Sequence, residues 1–379
     1  MLSGFATPDG TARFRARHES SLSHDHFRSV HGLWLSSIGM GTYLGKPTSE
    51  DDAAYERSIA EALAAGCNVI DTAINYRFQR SERSIGRALA VLVAAGSIRR
   101  DEVVISTKGG FLSFDGGYPS DPGEWVVATF LRPGIIDASE IVADCHCMAP
   151  DYIEHQFEAS RRNLGVDRID IYHLHNPETQ FGSVERTEVM RRLQAAFEIL
   201  EGKVADGKLT LYGTATWDGY RRPPEAADHL SLHDVVEAAR RAAKARGVAE
   251  HHFGAVQLPL NLAMPEALLS STQVMPGGED AGAPCSLLQA AGAMGLVVMG
   301  SAAILQGHLP PKIPAEMAAA IPGGESAIHK AIQWARSAPG LSTSLVGMKS
   351  PGHASENLIL ARSPRMTASQ HRALVQARS

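Results

Sequence analysis

The sequence predicts an α/β fold, a (β/α)8 barrel of the TIM type built as a single domain with long loop insertions at its C-terminal face. Two observations carry this expectation. Eight short apolar runs alternate with longer stretches of helical period along the chain, and strands that alternate with helices close into parallel sheets, here enough of them for a complete barrel. A third observation sets the class: 44% of the 379 residues are hydrophobic and 20% charged, ordinary values for a globular protein with a large core.

The first strand and its glycine-rich turn are read in "WLSSIGMGTYLG". "TSEDDAAYERSIAEALAAG" follows as a helix, with Ser49 and Asp52 as an expected capping box, Tyr55, Ile59 and Leu63 on one face, and Gly66 as the stop. Further strands are expected at 68–71, 102–108, 168–175, 208–215, 254–260, 295–300 and 342–347. Between them lie helical patterns, with Ile153, Phe157 and Leu164 on one stripe and Leu193, Phe197, Leu200 and Val204 on another. Residues 1–34 read as an arm or hairpin ahead of the first strand. Residues 109–145 and 262–284 read as insertions, and in a barrel both follow the carboxyl ends of strands, where active sites sit.

A net charge of −5 gives no electrostatic case for nucleic acid or an anionic membrane surface, so small-molecule chemistry is the expectation. Four cysteines do not make a disulfide framework in so long a chain, the opening "MLSGFATPDGTARFRARHES" lacks the apolar core of a signal peptide, and no apolar run approaches the roughly 20 residues needed to span a bilayer. A cytoplasmic protein with reduced thiols is expected; the oligomeric state is not readable.

If the strands are placed correctly, their polar ends share one rim. Asp71 ends the second strand and Tyr76 lies in its loop, Lys108 ends the third, His175 ends the fourth, and Gln257 sits in the sixth. A carboxylate in a core strand is costly without a partner. Lys108 is positioned to pair with Asp71 and to pull the Tyr76 phenol down from its usual value near 10, with His175 holding a substrate oxygen. Each such residue taken alone is more often a cap or a solvated rim group; it is their convergence on adjacent strands that favours proton-transfer chemistry.

From about Gly39 to Asn357 the chain resembles the aldo-keto reductase family. The resemblance rests on "VIDTAINY", "RSERSIGRAL", "VVISTK", "SRRNLGVDRIDIYHLHNPE", "GKLTLYGTAT", "VQLPLN" and "LVGMKSPGHASENL" in that order. It implies a catalytic tetrad of Asp71, Tyr76, Lys108 and His175, in which Tyr76 protonates a carbonyl as hydride arrives from a nicotinamide. His173, two residues earlier, matches an apolar position. It also implies a cofactor, NADP(H) with NAD(H) as the alternative, held by Thr216 and Gln257 at the nicotinamide, Lys349 and Ser350 at phosphate, and Glu356 and Asn357 at adenine. The family's Ser-Asn pair after the fifth strand is replaced by Ala215 and Thr216, and Ser301 stands near its usual aromatic platform.

The expected function is reduction of an aldehyde or ketone, or oxidation of the alcohol. The alternatives are a redox-neutral epimerase or lyase with a retained nicotinamide, and a non-catalytic cofactor-sensing barrel like that beneath some potassium channels. Three arginines, Arg77, Arg80 and Arg83, are read either as receptors for an anionic or polyhydroxylated substrate, or as helix caps or binders of cofactor phosphate, or as a solvated face. Trp125 and Trp217 are candidate walls for a ring or sugar face. The cluster Cys145, His146, Cys147 and His155 has no second ligand pair, so loop and cap is preferred over zinc and no metal is expected.

Overall fold

The computed structural model describes residues 1–376. Eight parallel strands close into a barrel whose order around the ring follows the chain: β1 (Ile38–Gly41), β2 (Val69–Asp71), β3 (Val104–Gly109), β4 (Ile169–His175), β5 (Leu209–Ala215), β6 (Phe253–Pro259), β7 (Val297–Ser301) and β8 (Thr343–Gly347). Helices α1 (Ser49–Ala64), α2 (Arg80–Ala94), α3 (Pro150–Leu164), α4 (Arg186–Ala205), α5 (Leu232–Ala245), α6 (Leu287–Ala293), α7 (Ala327–Arg336) and α8 (Pro351–Leu358) are the main helices outside it. Ahead of β1 come a helix, Pro8–His18, and an antiparallel hairpin of Phe27–Val30 with Leu33–Ser36.

Side chains alternate across a strand with period two, and this parity decides what lines the barrel. Val69, Val104, Ile171, Ala255, Val297, Met299 and Leu345 pack together inside it, joined by Leu33 and Leu35 of the hairpin. Two residues further along the same faces come Asp71, Ser106, His173 and Gln257, and two beyond Ser106 and His173 come Lys108 and His175. The apolar layer is therefore followed by a polar one at the carboxyl ends of β2, β3, β4 and β6. The outward positions, Ile70, Ile105, Tyr172 and Leu174 among them, join the larger core beneath the helices.

Helix α1 departs from expectation at its start. Thr48, in extended backbone (φ −122°, ψ 155°), is the cap, and its Oγ1 accepts from the Asp51 N–H at 3.3 Å. Ser49 is already helical, and Asp52 binds Arg77 and Arg80 rather than capping. The helix stops at Gly66, whose φ of +91° suits the left-handed turn that glycine tolerates.

The segment after β3 forms a short helix, Pro122–Val126, and a wide turn, Val127–Leu131, packed around Phe130, Ile136, Cys147 and Tyr152. The segment after β6 holds a small antiparallel pair, Gln273–Val274 with Pro284–Cys285.

Glu82 on α2 is fully buried between helix and barrel; its carboxylate accepts from Thr107 Oγ1 at 2.7 Å and Asn163 Nδ2 at 2.9 Å, with no salt bridge among the described residues. Burial pushes its pKa up from the ordinary 4.5, with the hydrogen bonds opposing. A carboxyl with a raised folded pKa binds its proton more tightly when folded, so stability falls as pH rises from about 4.5 through the folded value. Glu82→Gln can donate to Thr107 and accept from Asn163 without charge. Thermal melts are expected to show the variant gaining on the parent between pH 4.5 and 8; a constant difference would count against a charged Glu82.

Candidate functional site

The polar layer opens into a cleft of about 430 Å³ at the carboxyl ends of the strands, with Asp71, Tyr76, His175, Thr216 and Gln257 on its wall. A volume of this size suits a nicotinamide ring with a small substrate. Lys108 lies just behind, fully buried, with its three donor directions all used: Asp71 Oδ2 at 2.7 Å, the Thr72 carbonyl at 2.7 Å and Tyr76 Oη at 3.5 Å. Asp71 is satisfied on its other oxygen by Ser106 Oγ and Gln257 Nε2, both at 2.8 Å. The carboxylate at the end of β2 thus sits in a complete hydrogen-bond set.

Electrostatics separate the members by protonation state. For Lys108, burial pushes the pKa down, yet the facing Asp71 and Tyr76 outweigh it and the ammonium is held above its ordinary value. For Tyr76, burial is the largest influence and raises the phenol, with Lys108 opposing; the net direction is upward, contrary to the expected fall. The reason is that Lys108 is largely neutralised by Asp71 at 2.7 Å and faces the phenol only at 3.5 Å. His175 is pushed well below its ordinary value by burial first and by Lys108 second, so its imidazole is neutral. Its ring meets the Tyr76 ring edge-on at 6.0 Å.

The remaining expected residues are distributed along one side. Thr216 lines the cleft, and its buried hydroxyl has no partner. Gln257 spends its amide nitrogen on Asp71, which leaves its carbonyl oxygen free to receive an N–H. Trp217 lines the cleft with 42% of its surface exposed. Lys349, Ser350, Glu356 and Asn357 lie beyond the cleft wall, at and after the end of β8. Lys349 pairs with Asp51 at 3.2 Å, Ser350 caps α8 by accepting from the His353 N–H, Glu356 is exposed and Asn357 is buried. Asp51, Lys349 and Arg77 all stand where a side chain on Gly45 would begin, an approach that its φ of +118° and lack of a side chain permit.

The substrate-receptor reading of the arginines and the wall reading of Trp125, though not of Trp217, depart from what the structure shows. Arg77 is buried and bonds Asp52 at 2.5 Å and the Lys46 carbonyl at 3.0 Å; Arg80 also binds Asp52, and Arg83 binds Asp115 and Asn163. None of the three lines the cleft. Arg77, Phe78 and Gln79 all have left-handed backbone, with φ of 48°, 57° and 69°, a conformation that costs energy outside glycine. The Arg77 to Asp52 clamp therefore holds a strained turn directly after Tyr76. Trp125 packs edge-on against Phe114 and Phe130 and lines a separate polar cavity of about 240 Å³.

Three further residues shape the site in ways the sequence did not announce, although His146 and His173 were visible in it. Glu178, nearly buried, accepts from the backbone N–H groups of Trp217, Asp218 and Gly219 at 2.7, 3.1 and 3.4 Å and so fixes the Trp217 loop. His146 is fully buried; its Nε2 donates to the His175 carbonyl at 2.7 Å and its Nδ1 accepts from Gln180 at 2.8 Å. The carbonyl can only accept, which fixes the tautomer, and burial lowers this imidazole to about 4. His146 is thus tied to β4; among the described residues no group of three or more His, Cys, Asp or Glu side chains is arranged to hold a metal ion, and the four cysteines are free. His173 sits inside the barrel beside Lys108, where the missing side chain of Gly213 lets the Ala255 backbone, and next to it the His173 ring, come close. Its ring nitrogens make no well-formed hydrogen bond, although the Thr214 backbone lies close enough to oppose the shift; burial first and Lys108 second lower it to about 3.

The model of the aldo/keto reductase family matches residues 37–237, a little over half of the chain. The chain belongs to the aldo/keto reductase family. Among curated proteins it is similar to the NADH-specific methylglyoxal reductase of Escherichia coli strain K12, 32% identical over 148 residues, covering 38% of this chain and 39% of that protein. The chain thus spans about two fifths of the length of the curated relatives it first matches. Among solved structures it is similar to the glycerol dehydrogenase AKR11B4 from Gluconobacter oxydans, with a TM-score of 0.62 and 19% identity over 93% of this chain and 95% of that one. It is also similar to an aldo/keto reductase from Klebsiella pneumoniae in complex with NADP and acetate, with a TM-score of 0.59 and 20% identity over 94% and 95%. At these identities the structural likeness speaks for the barrel fold. No helix among the described residues is long and apolar enough to cross a membrane.

Proposed function

We propose that this family member is an oxidoreductase that reduces a small aldehyde or ketone, or oxidises the alcohol, with NADP(H) as cofactor and NAD(H) as the alternative. The observation that carries the reading is the buried Lys108 held between Asp71 and Tyr76, with neutral His175 facing the same cleft. Relatives point both ways on the nucleotide: the curated one is named NADH-specific, and the Klebsiella structure is titled as an NADP complex.

The residues present fit a nicotinamide nucleotide. The unpartnered hydroxyl of Thr216 and the remaining carbonyl of Gln257 would hold the carboxamide, and Trp217 offers a ring face where Ser301 stands in place of an aromatic residue. Lys349 and Ser350 would serve phosphate, and Glu356 and Asn357 the adenine. When bound, the cofactor supplies or accepts hydride.

In the reducing direction Tyr76 Oη donates its proton to the substrate oxygen as that oxygen gains electron density, and His175 hydrogen-bonds the same oxygen. The phenolate left on Tyr76 is stabilised by the Lys108 ammonium, which Asp71 keeps charged. The Glu178 and Arg77 anchors act by fixing the Trp217 loop and the turn after Tyr76.

The test is direct. Fluorescence titration with NADPH and NADH is expected to show reversible binding, and a panel of aldehydes and ketones to oxidise the bound nucleotide with at least one member. Absence of nucleotide oxidation across the panel with both cofactors would overturn the reading.

A further inference from the structure

The carbonyl of His175 lies just past the ladder that would have used it. Strand β3 pairs with β4 as far as Gly109 with Leu174, and at Gly110, with φ of +136°, the chain turns out of the sheet. The next N–H, of Asn176, goes to Ala215 on β5 at 2.6 Å, which leaves the His175 carbonyl on the vacated β3 side. A main-chain carbonyl without a ladder partner needs a donor from elsewhere. His146, 29 positions earlier, supplies it from Nε2 at 2.7 Å. A side chain on Gly110 would begin 3.0 Å from that Nε2 and 3.1 Å from the carbonyl oxygen, so the glycine keeps the path open.

The donor is itself held from behind. His146 Nδ1 accepts an N–H from Gln180 at 2.8 Å, and the Gln180 side-chain oxygen accepts one from Arg192 on α4, also at 2.8 Å. An arginine only donates and a carbonyl only accepts, so the chain from Arg192 through Gln180 and His146 to His175 runs one way, with no choice of amide orientation or tautomer. Gln180 and His146 are both fully buried. Main-chain bridges to Phe111 and Val142 fix the His146 backbone as well, and the Phe111 ring stands edge-on to both imidazoles, 5.1 Å from His146 and 5.0 Å from His175. The His175 ring has no such hold of its own. Its Nδ1 is buried without a partner, so its aim depends on its backbone and on the rings beside it.

We propose that His146 is a positioning residue of this site: through the His175 carbonyl and the Phe111 ring it fixes where the His175 imidazole stands, and the chain through Gln180 to Arg192 anchors it to α4. It touches no reacting atom. The kinetic consequence rests on the oxidoreductase reading above, whereas the placement of the ring is a property of the fold. A hydrogen-bond donor aimed at a substrate oxygen loses much of its effect when displaced by a fraction of its bond length.

The test compares three variants. His146→Leu removes both ring partners, His146→Gln keeps an amide N–H to offer the carbonyl, and Gln180→Met cuts the chain behind the imidazole. With NADPH and the panel aldehyde or ketone that the parent reduces fastest, kcat is expected to fall about 10–100-fold in His146→Leu while KM and NADPH affinity stay within about twofold. In His146→Gln it is expected to return to within about fivefold of the parent, and in Gln180→Met to fall by less than in His146→Leu. A second readout needs no turnover: in long-range proton–nitrogen spectra of histidine-labelled protein, the His175 ring signals are expected to move in His146→Leu and to return in His146→Gln. If thermal melts show that His146→Leu does not fold, Gln180→Met is judged by the same two readouts. Unmoved His175 signals, a parent-like kcat, or a His146→Gln no better than His146→Leu overturns the proposal. A parent that reduces nothing on the panel sinks the reductase reading instead, and the spectra alone then show whether His146 places the ring.

Discussion

Replacing Tyr76 with phenylalanine is expected to slow carbonyl reduction by on the order of 10²–10⁴-fold, or about 2.7–5.4 kcal/mol of barrier, while nucleotide binding stays near that of the parent. The separation follows from geometry. Phenylalanine keeps the ring that packs against Tyr43 at 5.0 Å and His175 at 6.0 Å and loses only the hydroxyl, whose partner is Lys108 at 3.5 Å. The direction of the phenol's shift sharpens the expectation. Burial raises Tyr76, so the acid form persists through neutral pH, and reduction is expected to hold level there and fall as pH rises through the phenol pKa. Oxidation of an alcohol needs the phenolate and is expected to rise over the same range. The neutral imidazole of His175 cannot replace the missing acid. A Tyr76→Phe variant that keeps the parent rate, or a reduction rate that climbs with pH, would remove Tyr76 from this role.

What was legible in the sequence, and what was not, divides along a physical line. Strand parity is a local property: once Val69, Val104, Ile171 and Ala255 point inward, period two forces Asp71, Lys108, His175 and Gln257 inward as well, and the rim could be read from spacing alone. Helix stripes were equally local, as Ile153, Phe157 and Leu164, all fully buried, show. Long-range pairings were not. Nothing near Glu178 announces that its carboxylate will collect three N–H groups from residues 217–219, and nothing near His146 announces Gln180 and the His175 carbonyl.

Arg77 was visible as a cation close to Tyr76, but its commitment to Asp52 depends on how α1 lies against the turn. The sign of the Tyr76 shift departs from expectation for the same reason. A lysine beside a phenol lowers its pKa in isolation, whereas a lysine already bonded to Asp71 leaves burial as the stronger influence. Trp217, visible in the sequence as a candidate wall, lies on the cleft, but the Glu178 carboxylate that holds its loop could be found only in space.

Asp71→Asn is expected to cost about 3–5 kcal/mol of stability as well as activity, because it leaves the Lys108 ammonium buried without its counter-ion. The two side chains, Lys108 and Asp71, are 0% and 5% exposed and lie 2.7 Å apart. An asparagine can still accept from Ser106 and Gln257, but its amide nitrogen then faces the ammonium, donor against donor. The pH dependence supplies a sign test. In the parent the Lys108 pKa is raised above its ordinary 10.5, so its contribution is complete below that value and is lost as pH climbs through the folded pKa. In the variant burial acts without Asp71 and depresses the folded pKa, so stability should instead rise as pH approaches about 10.5. Urea unfolding at pH 7 and pH 10 would show the gap between parent and variant closing. The same trend in both proteins would mean that the pair does not govern the ammonium. Adding Lys108→Met to Asp71→Asn removes the stranded charge and is expected to recover most of the lost stability with none of the activity. That outcome would separate the two roles of the pair: the fold requires only that the charges be matched or absent, whereas the proton chemistry proposed for Tyr76 requires that the ammonium be there.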